Sequence, residues 1–287
     1  MTSDSFNVNL HSLNVRGLRD VKERRAIFHW LRKFNQGIIF LQETHSCSED
    51  ESIWKNEWGA NIVFSHGSRD SRGVAILFSN SMNYNINNCI CNLSGRCILL
   101  EIEIDGKNFF LVNLYAPTKD HVSDQVAFLA ELRTHLVDNL HSNFIFGGDF
   151  NTVLSSTMDK RGGRETPSTY RTDLLNFIEE FDLVDIWRAR NPETFMHTWY
   201  SKSPLIQCRL DFWLVSGFLG PQVTTCKIVP SIKTDHSLIS IELTGSNFKR
   251  RGPGFWKFNS SLLKEEVYVA KIKELIKNEE EDRKSVV

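Results

Sequence analysis

One short stretch, Asn143 to Asn151 with the sequence NFIFGGDFN, constrains the fold of this chain more than any other. Its apolar run, Phe144 to Phe146, predicts a buried strand, because short aromatic and β-branched runs closed by glycine favour a central strand over a helix. Two glycines then allow a sharp turn. Asp149 and Asn151 follow, so a carboxylate and an amide lie at the strand end, where they either serve a polar site or close the strand as an Asx turn.

Further apolar runs along the chain predict alternating strands and helices, which indicates a layered α/β domain with a site at one edge of its sheets. A tight-turn signal at Asp105 and Gly106 predicts a hairpin. The predicted strands are Phe6 to Asn14, Ile38 to Leu41, Asn61 to Phe64, Gly73 to Phe78, Arg96 to Ile104, Asn108 to Leu114, Thr194 to Ser201, Arg209 to Val215 and Leu238 to Leu243. The predicted helices run from the capping box of Asp20 and Glu23 to Gly37, from Val122 to Leu140 with Val126, Leu129, Leu132, Leu136 and Leu140 on one face, and across Leu174 to Phe181.

Polar residues collect where these strands end. Glu43 directly follows an apolar run, and Tyr115 lies where another strand stops. Asp211 interrupts the run RLDFWLV, and a charge there requires a partner, for which Asp235 and His236 are candidates. Each residue alone also fits turn chemistry, a core aromatic or an exposed acid. The set that together predicts a common polar site is Asn14, Glu43, Tyr115, Asp149, Asn151, Asp211, Asp235 and His236.

Composition narrows the function classes. The 287 residues carry a net charge of −1, which argues against a generally basic surface that coats nucleic acid. Contact with a polyanion must therefore come from local basic loops or through a metal ion. Six cysteines without a CxxC pair predict neither a zinc framework nor a disulfide scaffold, and we interpret them as reduced thiols of an intracellular protein. No apolar stretch approaches the length of a membrane span.

The pattern of the chain changes at Gly245. A compact domain is predicted over residues 1–244, followed by a linker and an amphipathic, charge-rich helical tail over residues 245–287. Two polar loops inside the domain are basic, and each is either a solvated surface loop or a phosphate contact. The cations in these loops that we consider candidates for DNA binding are Arg72, Lys160, Arg161 and Arg164.

Six motifs, LNVRG, QET, NLYAP, GDFN, RLDF and TDHS, occur in one order along residues 6–244. In this order and spacing the chain resembles the exonuclease-endonuclease-phosphatase superfamily, and more closely the endonuclease domain of LINE-type non-LTR retrotransposons. The resemblance implies a four-layer α/β/β/α sandwich of the DNase I-like type. The tail sequence GPGFWKFNSSLL also resembles the segment that joins this endonuclease to reverse transcriptase.

The resemblance implies a metal site and a nucleophile site. Glu43 would be the ligand of Mg²⁺, for which Mn²⁺ is a possible substitute, with Asn14 and Asp235 nearby and sharing the ion. Asp149 would orient or deprotonate the attacking water, and Asn151 would hold water or phosphate.

It also implies contacts to the phosphate and to DNA. His236 would contact the scissile phosphate with its ring oriented by Asp211, and Tyr115 would donate to the phosphate or assist the leaving group. Whether the aspartate of GDFN or the histidine takes the proton stays open at this point. Arg16 replaces an acid of the abasic-site enzymes and matches the retrotransposon pattern, while Thr198 matches a DNA-contacting position.

The first hypothesis is therefore a Mg²⁺-dependent endonuclease that nicks double-stranded DNA and leaves a 3′-hydroxyl for target-primed reverse transcription. Its substrate partner would be double-stranded DNA, with element RNA or reverse transcriptase as further candidate partners and no membrane. Its expected location is intracellular, in the nucleus. The alternatives are an abasic-site repair endonuclease, a phosphatase or phospholipase of the same superfamily, and an inactive remnant that binds through Lys249 to Arg251 and the tail.

Overall fold

The computed structural model describes residues 5–34, 37–91, 94–118, 122–140, 142–164, 168–246, 267–271, 273 and 277. The chain divides into two units, residues 1–247 and 248–287. In the second unit the described residues are helical. The basic trio 249–251 and most of the predicted tail helix lie outside the described residues, so those predictions stay predictions. No helix in the described part of the chain is long and apolar enough to span a bilayer.

The first unit consists of fifteen described strands and five described α-helices. The strands are β1 (Ser5–Asn14), β2 (Gly37–Gln42), β3 (Ile62–Ser65), β4 (Val74–Phe78), β5 (Tyr84–Ile90), β6 (Cys97–Ile104), β7 (Lys107–Tyr115), β8 (Phe144–Asp149), β9 (Lys160–Arg161), β10 (Leu183–Asp185), β11 (Trp199–Lys202), β12 (Leu205–Cys208), β13 (Asp211–Ser216), β14 (Val223–Val229) and β15 (Leu238–Ser246). The helices are α1 (Val21–Leu31), α2 (Glu51–Trp58), α3 (Val122–Leu136), α4 (Thr169–Glu180) and α5 (Ile186–Arg190).

Most of the strands form two six-stranded mixed sheets. Sheet 1 has the order β14-β15-β1-β2-β4-β3, and sheet 2 has the order β10-β13-β8-β7-β6-β5. In sheet 1, β1 and β2 are parallel, and in sheet 2, β7 and β8 are parallel. A small third sheet, β11-β12-β9, carries Lys160 and Arg161 of the loop after Asn151.

Three hydrophobic clusters show that the sheets and helices form four layers. The first lies between the sheets and includes Leu10 and Phe40 of sheet 1 with Trp213 of sheet 2. The second joins sheet 2 to α3 and α4, and the third joins sheet 1 to α1 and α2. Strands β2, β8 and β13 are buried along their whole length because they are covered on both faces, which explains their continuous apolar runs. The predicted α/β/β/α sandwich is confirmed.

Several element boundaries differ from the sequence-based prediction. Gly37 begins β2 instead of ending the first helix, since α1 stops at Leu31 and a short 3₁₀ turn follows. The predicted strand from Thr194 is wrong for its first half, because β11 begins at Trp199.

The predicted apolar face of α3 is wrong at both ends. Val126 and Leu140 are 37% and 41% exposed. The α-helix ends at Leu136, and the 3₁₀ turn Val137–Asn139 changes the rotation of the following residues. Periodicity also missed α2, β5, β12 and β14: the exposure of β5 alternates weakly, and α2 buries only two tryptophans.

Candidate active site

Strand register in sheet 2 places three predicted site residues side by side. Tyr115 of β7 pairs with Asp149 of β8, and Asp149 pairs with Asp211 of β13. Paired residues project to the same face of a sheet, so these side chains share the face that turns toward sheet 1. All three are at least nine-tenths buried. The site is thus built at one edge of the space between the two sheets.

The two glycines before Asp149 are required by close packing. Gly148 has φ +143, and a Cβ there would overlap the carbonyl oxygen of Leu114 on β7. A Cβ on Gly147 would overlap the indole of Trp213. The motif therefore uses glycine for close approach between neighbouring strands, with an unusual backbone conformation at the second position. This is the physical reason that GG precedes the acid.

Sheet 1 contributes Asn14 at the end of β1 and Glu43 just after β2. The Asn14 amide nitrogen donates to Glu43 Oε1 at 2.8 Å and to Asp149 Oδ2 at 2.9 Å, so one amide links two carboxylates from different sheets. The amide oxygen of Asn14 accepts from the backbone N–H of Arg16 at 3.0 Å. In this orientation Asn14 presents its donor side to the two carboxylates. Its predicted role as a ligand sharing the metal stays a prediction.

A buried polar bridge between the two sheets, formed by Gln42 and Asn113, was not predicted from the sequence. Gln42 Nε2 donates to Ser12 Oγ at 3.0 Å and to Asn113 Oδ1 at 2.7 Å, which connects the sheets. Asn113 in turn donates to the backbone oxygens of Leu41 and Ala75. Buried polar groups that are hydrogen-bonded in this way fix the relative position of their elements. The bridge therefore fixes the distance between the two halves of the site.

His236 and Asp211 form the predicted acid-behind-histidine pair. His236 Nδ1 lies 2.9 Å from Asp211 Oδ2, and His236 Nε2 lies 3.9 Å from Asp149 Oδ2. The Thr198 hydroxyl accepts from the backbone N–H groups of Leu210 and Asp211, at 2.9 and 3.1 Å. Thr198 is only 1% exposed, and its hydroxyl positions the start of β13. The DNA contact predicted for Thr198 stays a prediction.

The electrostatics of this cluster shift the pKa values of Asp149 and His236 by different amounts. Burial, and then the neighbouring Asp211 carboxylate, raise the pKa of Asp149 to about 7 against the opposing effect of His236. For His236, burial lowers the pKa, but Asp211, Asp149 and Asp235 outweigh it and raise the pKa to about 9. At neutral pH the histidine is therefore an imidazolium held between carboxylates.

Glu43 and Tyr115 form the other side of the site. Burial raises the pKa of Glu43, yet hydrogen bonds from His45, Asn14 and Tyr115 outweigh this and hold it below its ordinary value, so the carboxylate is ionised. Burial and the carboxylates around it raise the pKa of Tyr115, which remains a neutral donor. Arg96 lies over the Tyr115 ring with its guanidinium carbon 5.3 Å from the ring centre.

His45 and Arg96 were missed by the sequence reasoning. His45 Nε2 lies 3.9 Å from Glu43 Oε2, and its backbone φ is +55. Arg96 donates to the backbone oxygen of Tyr115 at 3.3 Å. Only their positions in the sequence could have identified them: His45 directly follows the QET motif, and Arg96 directly precedes β6, the strand that pairs with β7 and its NLYAP motif.

Asp235 is oriented by two donors at the mouth of the site. Its Oδ2 accepts from Arg16 Nη1 at 3.3 Å and from Trp199 Nε1 at 3.1 Å. The Arg16 side chain is 68% exposed. Asn151 donates its side-chain amide to the Ala116 oxygen at 2.7 Å, and its backbone N–H donates to Asp149 Oδ1 at 2.9 Å. The metal role of Asp235 and the water or phosphate role of Asn151 stay predictions.

The predicted basic residues lie in two loops. Arg72 is half-buried with φ +66, and its carbonyl accepts from the His45 backbone N–H at 2.9 Å. Lys160 and Arg161 form β9, which pairs with β12. Lys160 Nζ donates to the backbone oxygen of Arg164 at 2.6 Å. The side chains of Arg161 and Arg164 are exposed, as a DNA contact requires, and their DNA role stays a prediction.

A buried ion-pair network joins the second loop to β13. Arg209, 1% exposed, binds both carboxylate oxygens of Asp159 at 2.7 and 3.1 Å and both of Asp185 at 3.1 and 2.6 Å. Arg188 adds a 2.7 Å contact to Asp159. Because Asp159 precedes β9 and Arg209 lies two residues before Asp211, the network sets the basic strand relative to the site.

Asp149, Asp211 and His236 can also hold a metal ion. Each offers one ligand atom, and these atoms lie within 4.8 Å of one another. Asp211 Oδ1 is buried and has no hydrogen-bond partner within the described structure, as expected for an oxygen that faces a cation site. The carboxylate-rich donor set, with Glu43 nearby, suits a divalent cation.

The fold and the carboxylate–histidine site together define a protein of the DNase I-like α/β/β/α class. The model of the Endonuclease/Exonuclease/phosphatase family matches residues 5–236, and the chain belongs to this family. The resemblance drawn from the six motifs is thus confirmed. Over 273 residues, or 93% of this chain, it is 29% identical to the Transposon TX1 uncharacterized 149 kDa protein of Xenopus laevis, and it spans about a fifth (20%) of that relative.

Solved structures with the same fold include two AP endonucleases and the APE2 catalytic domain. The chain matches AP endonuclease LMAP of Leishmania major with a TM-score of 0.66 and 17% identity, over 83% of this chain and 88% of the other. It matches the Xenopus laevis APE2 catalytic domain with a TM-score of 0.68 and 17% identity, over 83% and 93%. For an AP endonuclease of Archaeoglobus fulgidus the values are 0.64 and 19%, over 84% and 100%. At these identities the likeness establishes the fold.

Proposed function

We propose that this chain is a divalent-metal-dependent endonuclease that nicks double-stranded DNA and leaves a 3′-hydroxyl, as the nuclease part of a non-LTR retrotransposon protein. The observation that carries the proposal is the buried Asp211–His236 pair with Asp149 beside it. Phosphodiester hydrolysis requires a base for water and positive charge near the phosphate. The cluster supplies both, and the relationship to a transposon protein supports the retrotransposon context.

In this proposal Asp149 takes the proton from water and His236 does not. A base is most effective when its pKa lies near the working pH, and the pKa of Asp149 is raised to about 7. His236, with a pKa raised to about 9, is already protonated and serves as a cationic donor to a phosphate oxygen. Asp211 holds the imidazolium orientation through Nδ1, which leaves Nε2 for the substrate.

The proposed metal ligand is Glu43. His236 already places positive charge beside Asp149 and Asp211, whereas the ionised Glu43 side chain is 22% exposed and offers its oxygens at the mouth of the site. A bound Mg²⁺ would offset phosphate charge and polarise the phosphoryl oxygen. Binding of Mn²⁺ followed by electron paramagnetic resonance tests the ligand independently of activity: Glu43→Gln should weaken binding more than Asp211→Asn, and the reverse order would move the metal to the Asp-Asp-His cluster.

The proposed DNA surface consists of the exposed cations around the site. Arg161 and Arg164 of the second basic loop lie on a segment that Arg209 fixes relative to Asp211, and Arg16 lies at the mouth. Phosphate contacts of this kind give sequence-independent affinity that falls with salt. Replacement of both loop arginines by glutamine should raise KM and reduce the salt dependence, with kcat nearly unchanged.

Nicking of supercoiled plasmid tests the proposal. The wild-type chain with Mg²⁺ should convert supercoiled into open-circular DNA, while EDTA, Asp149→Ala or His236→Ala should abolish the conversion. Arg133→Ala, in a partly exposed ion pair of the α3–α4 layer, is the matched control and should nick at the wild-type rate. Intact plasmid after incubation with the wild-type chain would refute the proposal.

The fold shared with two AP endonucleases favours one alternative substrate, an abasic site in DNA. Intact and abasic duplexes of the same sequence separate the two functions. Comparable kcat/KM on both supports a general nicking enzyme. A preference of a hundredfold or so for the abasic duplex would instead assign a repair activity.

A further inference from the structure

A pair of cysteine thiols lies at the end of β5, the edge strand of sheet 2, with Cys89 in the strand and Cys91 directly after it. The Sγ atoms of Cys89 and Cys91 are 3.1 Å apart, close enough for one thiol to donate to the other. Cys89 is exposed and Cys91 is half-buried. The two residues are separated by one residue along an extended segment, so both side chains project to the same side. They form a Cys-x-Cys dithiol that takes no part in the proposed nuclease site.

The surroundings of this dithiol allow it to react. β5 pairs only with β6, so its other edge carries no strand within the described sheet. The pairing of β5 with β6 already shifts register between Ile86 and Asn88, directly before Cys89. Alternate residues of a strand have Cα atoms about 6.6 Å apart, near the upper end of the range that a disulfide spans. An edge strand with a bulge can shorten this distance at a smaller cost than a central strand.

The two sulfurs also differ in acidity. The hydrogen bond from Cys91 lowers the pKa of Cys89 to about 7, against the effect of burial. The same contact raises the pKa of Cys91. Elsewhere, burial raises the pKa of Cys97, and it raises that of Cys226 to about 12. A thiolate is the nucleophile in thiol–disulfide exchange, so Cys89 is the attacking sulfur of the pair.

We propose that Cys89 and Cys91 form a reversible thiol–disulfide exchange site that reacts with low-molecular-weight disulfides. The Cys89 thiolate attacks one sulfur of the disulfide, forms a mixed disulfide and releases one thiolate. Cys91 then loses its proton to that thiolate or to solvent and attacks the Cys89 sulfur, which expels the second thiolate. The two protein thiols are oxidised to one disulfide, and the small disulfide is reduced to two thiols.

The product is expected to be a readily reduced disulfide. A bond between residues i and i+2 of a strand is strained, and strain makes a disulfide more reducible. Strained and exposed disulfides are the labile or regulatory ones, in contrast to structural bridges. The proposal does not depend on nuclease activity, because the chemistry requires only the two thiols and the oxidant.

The test uses the purified full chain, glutathione disulfide at neutral pH, an acid quench, alkylation of the remaining thiols and peptide mapping. Wild type should lose about 2 Da and yield a peptide that links Cys89 to Cys91, with no retained glutathione. Cys91→Ser should retain one glutathione on Cys89. Cys89→Ser should react with glutathione disulfide about tenfold more slowly than wild type, because it lacks the more acidic thiol. Cys226→Ser, the matched control, should behave as wild type, and dithiothreitol should restore both thiols.

Three results would overturn the proposal. In the first, both cysteines remain alkylatable in wild type after prolonged exposure to the oxidant. In the second, Cys91→Ser accumulates no mixed disulfide. In the third, the linked peptide joins Cys91 to Cys97 instead. Thermal unfolding followed by circular dichroism verifies that each variant is folded, and Cys89→Ala provides a second variant that removes the same thiol.

Discussion

Replacement of Asp211 by asparagine is the most informative perturbation of the site, because it removes one charge and keeps the side-chain shape. In the wild type, His236 has a pKa of about 9 against an ordinary value of 6.5. The difference corresponds to about 3 kcal/mol in favour of the charged imidazole. Asp211 is the largest favourable contributor, whereas burial opposes the charge. In Asp211→Asn the effect of burial is no longer opposed by that carboxylate, so the pKa of His236 should fall by about two units or more below its wild-type value.

The assay is a pH titration of histidine Cε1–H signals by NMR in the presence of EDTA. The chain has nine histidines, and the signal that is missing from His236→Gln identifies the one of interest. At pH 8, a fall from about 9 to about 7 lowers the protonated fraction of His236 roughly tenfold. Asp235→Asn is the matched control and should shift the pKa less, since Asp235 contributes less than Asp211 and its side chain is 26% exposed.

Stability gives a second reading of the same prediction. The folded-state pKa of His236 is raised, so its contribution is fully present below its unfolded value of 6.5 and is lost as pH rises through about 9. The difference in unfolding free energy between wild type and Asp211→Asn should therefore be largest near pH 6 and narrow toward pH 10. A titration of His236 in Asp211→Asn within about half a unit of wild type would refute the reasoning.

Three further predictions concern pH, the ion-pair network and the glycine motif. The rate of nicking should rise with pH as Asp149 deprotonates near pH 7 and fall as His236 deprotonates near pH 9, so the plot of kcat/KM against pH should be bell-shaped. A flat profile from pH 6 to 10 would show that neither residue acts in the reaction. Arg209→Met removes the buried cation that binds Asp159 and Asp185, so that Asp159 keeps only Arg188, and it should lower the free energy of unfolding in urea by about 3–5 kcal/mol. Arg133→Met, in a more exposed pair, should lower it by about 1 kcal/mol or less, and equal effects would contradict the network. Gly148→Ala should lower the free energy of unfolding by about 3 kcal/mol or more, because residue 148 has φ +143 and a Cβ there would overlap the carbonyl oxygen of Leu114. An unchanged denaturation midpoint would contradict this close packing of Gly148 against Leu114.

Much of the fold was readable from local pattern. The strand at Phe144 and the acid at its end were identified in place, and so was the hairpin at Asp105. The sharp turn predicted at Gly147 and Gly148 is wrong, because both glycines lie inside β8 and pair with its neighbours. These features depend on neighbours along the chain, on side-chain alternation and on turn chemistry, all of which a sequence contains. Where local pattern was weak, as in β5 and in the segment before Trp199, the prediction missed an element or misplaced it.

The site was identified by residue type and not by contact. The motifs determined that Asp149, Asp211 and His236 belong together, and their grouping is what the structure shows. The tertiary structure decided the side of Asn14 that faces the carboxylates, through a hydrogen bond between residues 135 positions apart. It also decided that Thr198 is buried behind the site.

The sequence by itself determined the succession of strands and helices and the residue types at their ends. Only the tertiary structure decided the distances between those ends, and with them the raised pKa of Asp149, the imidazolium at His236 and the thiol contact at Cys89. The physical reason is that burial and Coulomb interactions depend on separation in space and on the exclusion of water. Those quantities exist once two sheets have packed together, and no local pattern encodes them.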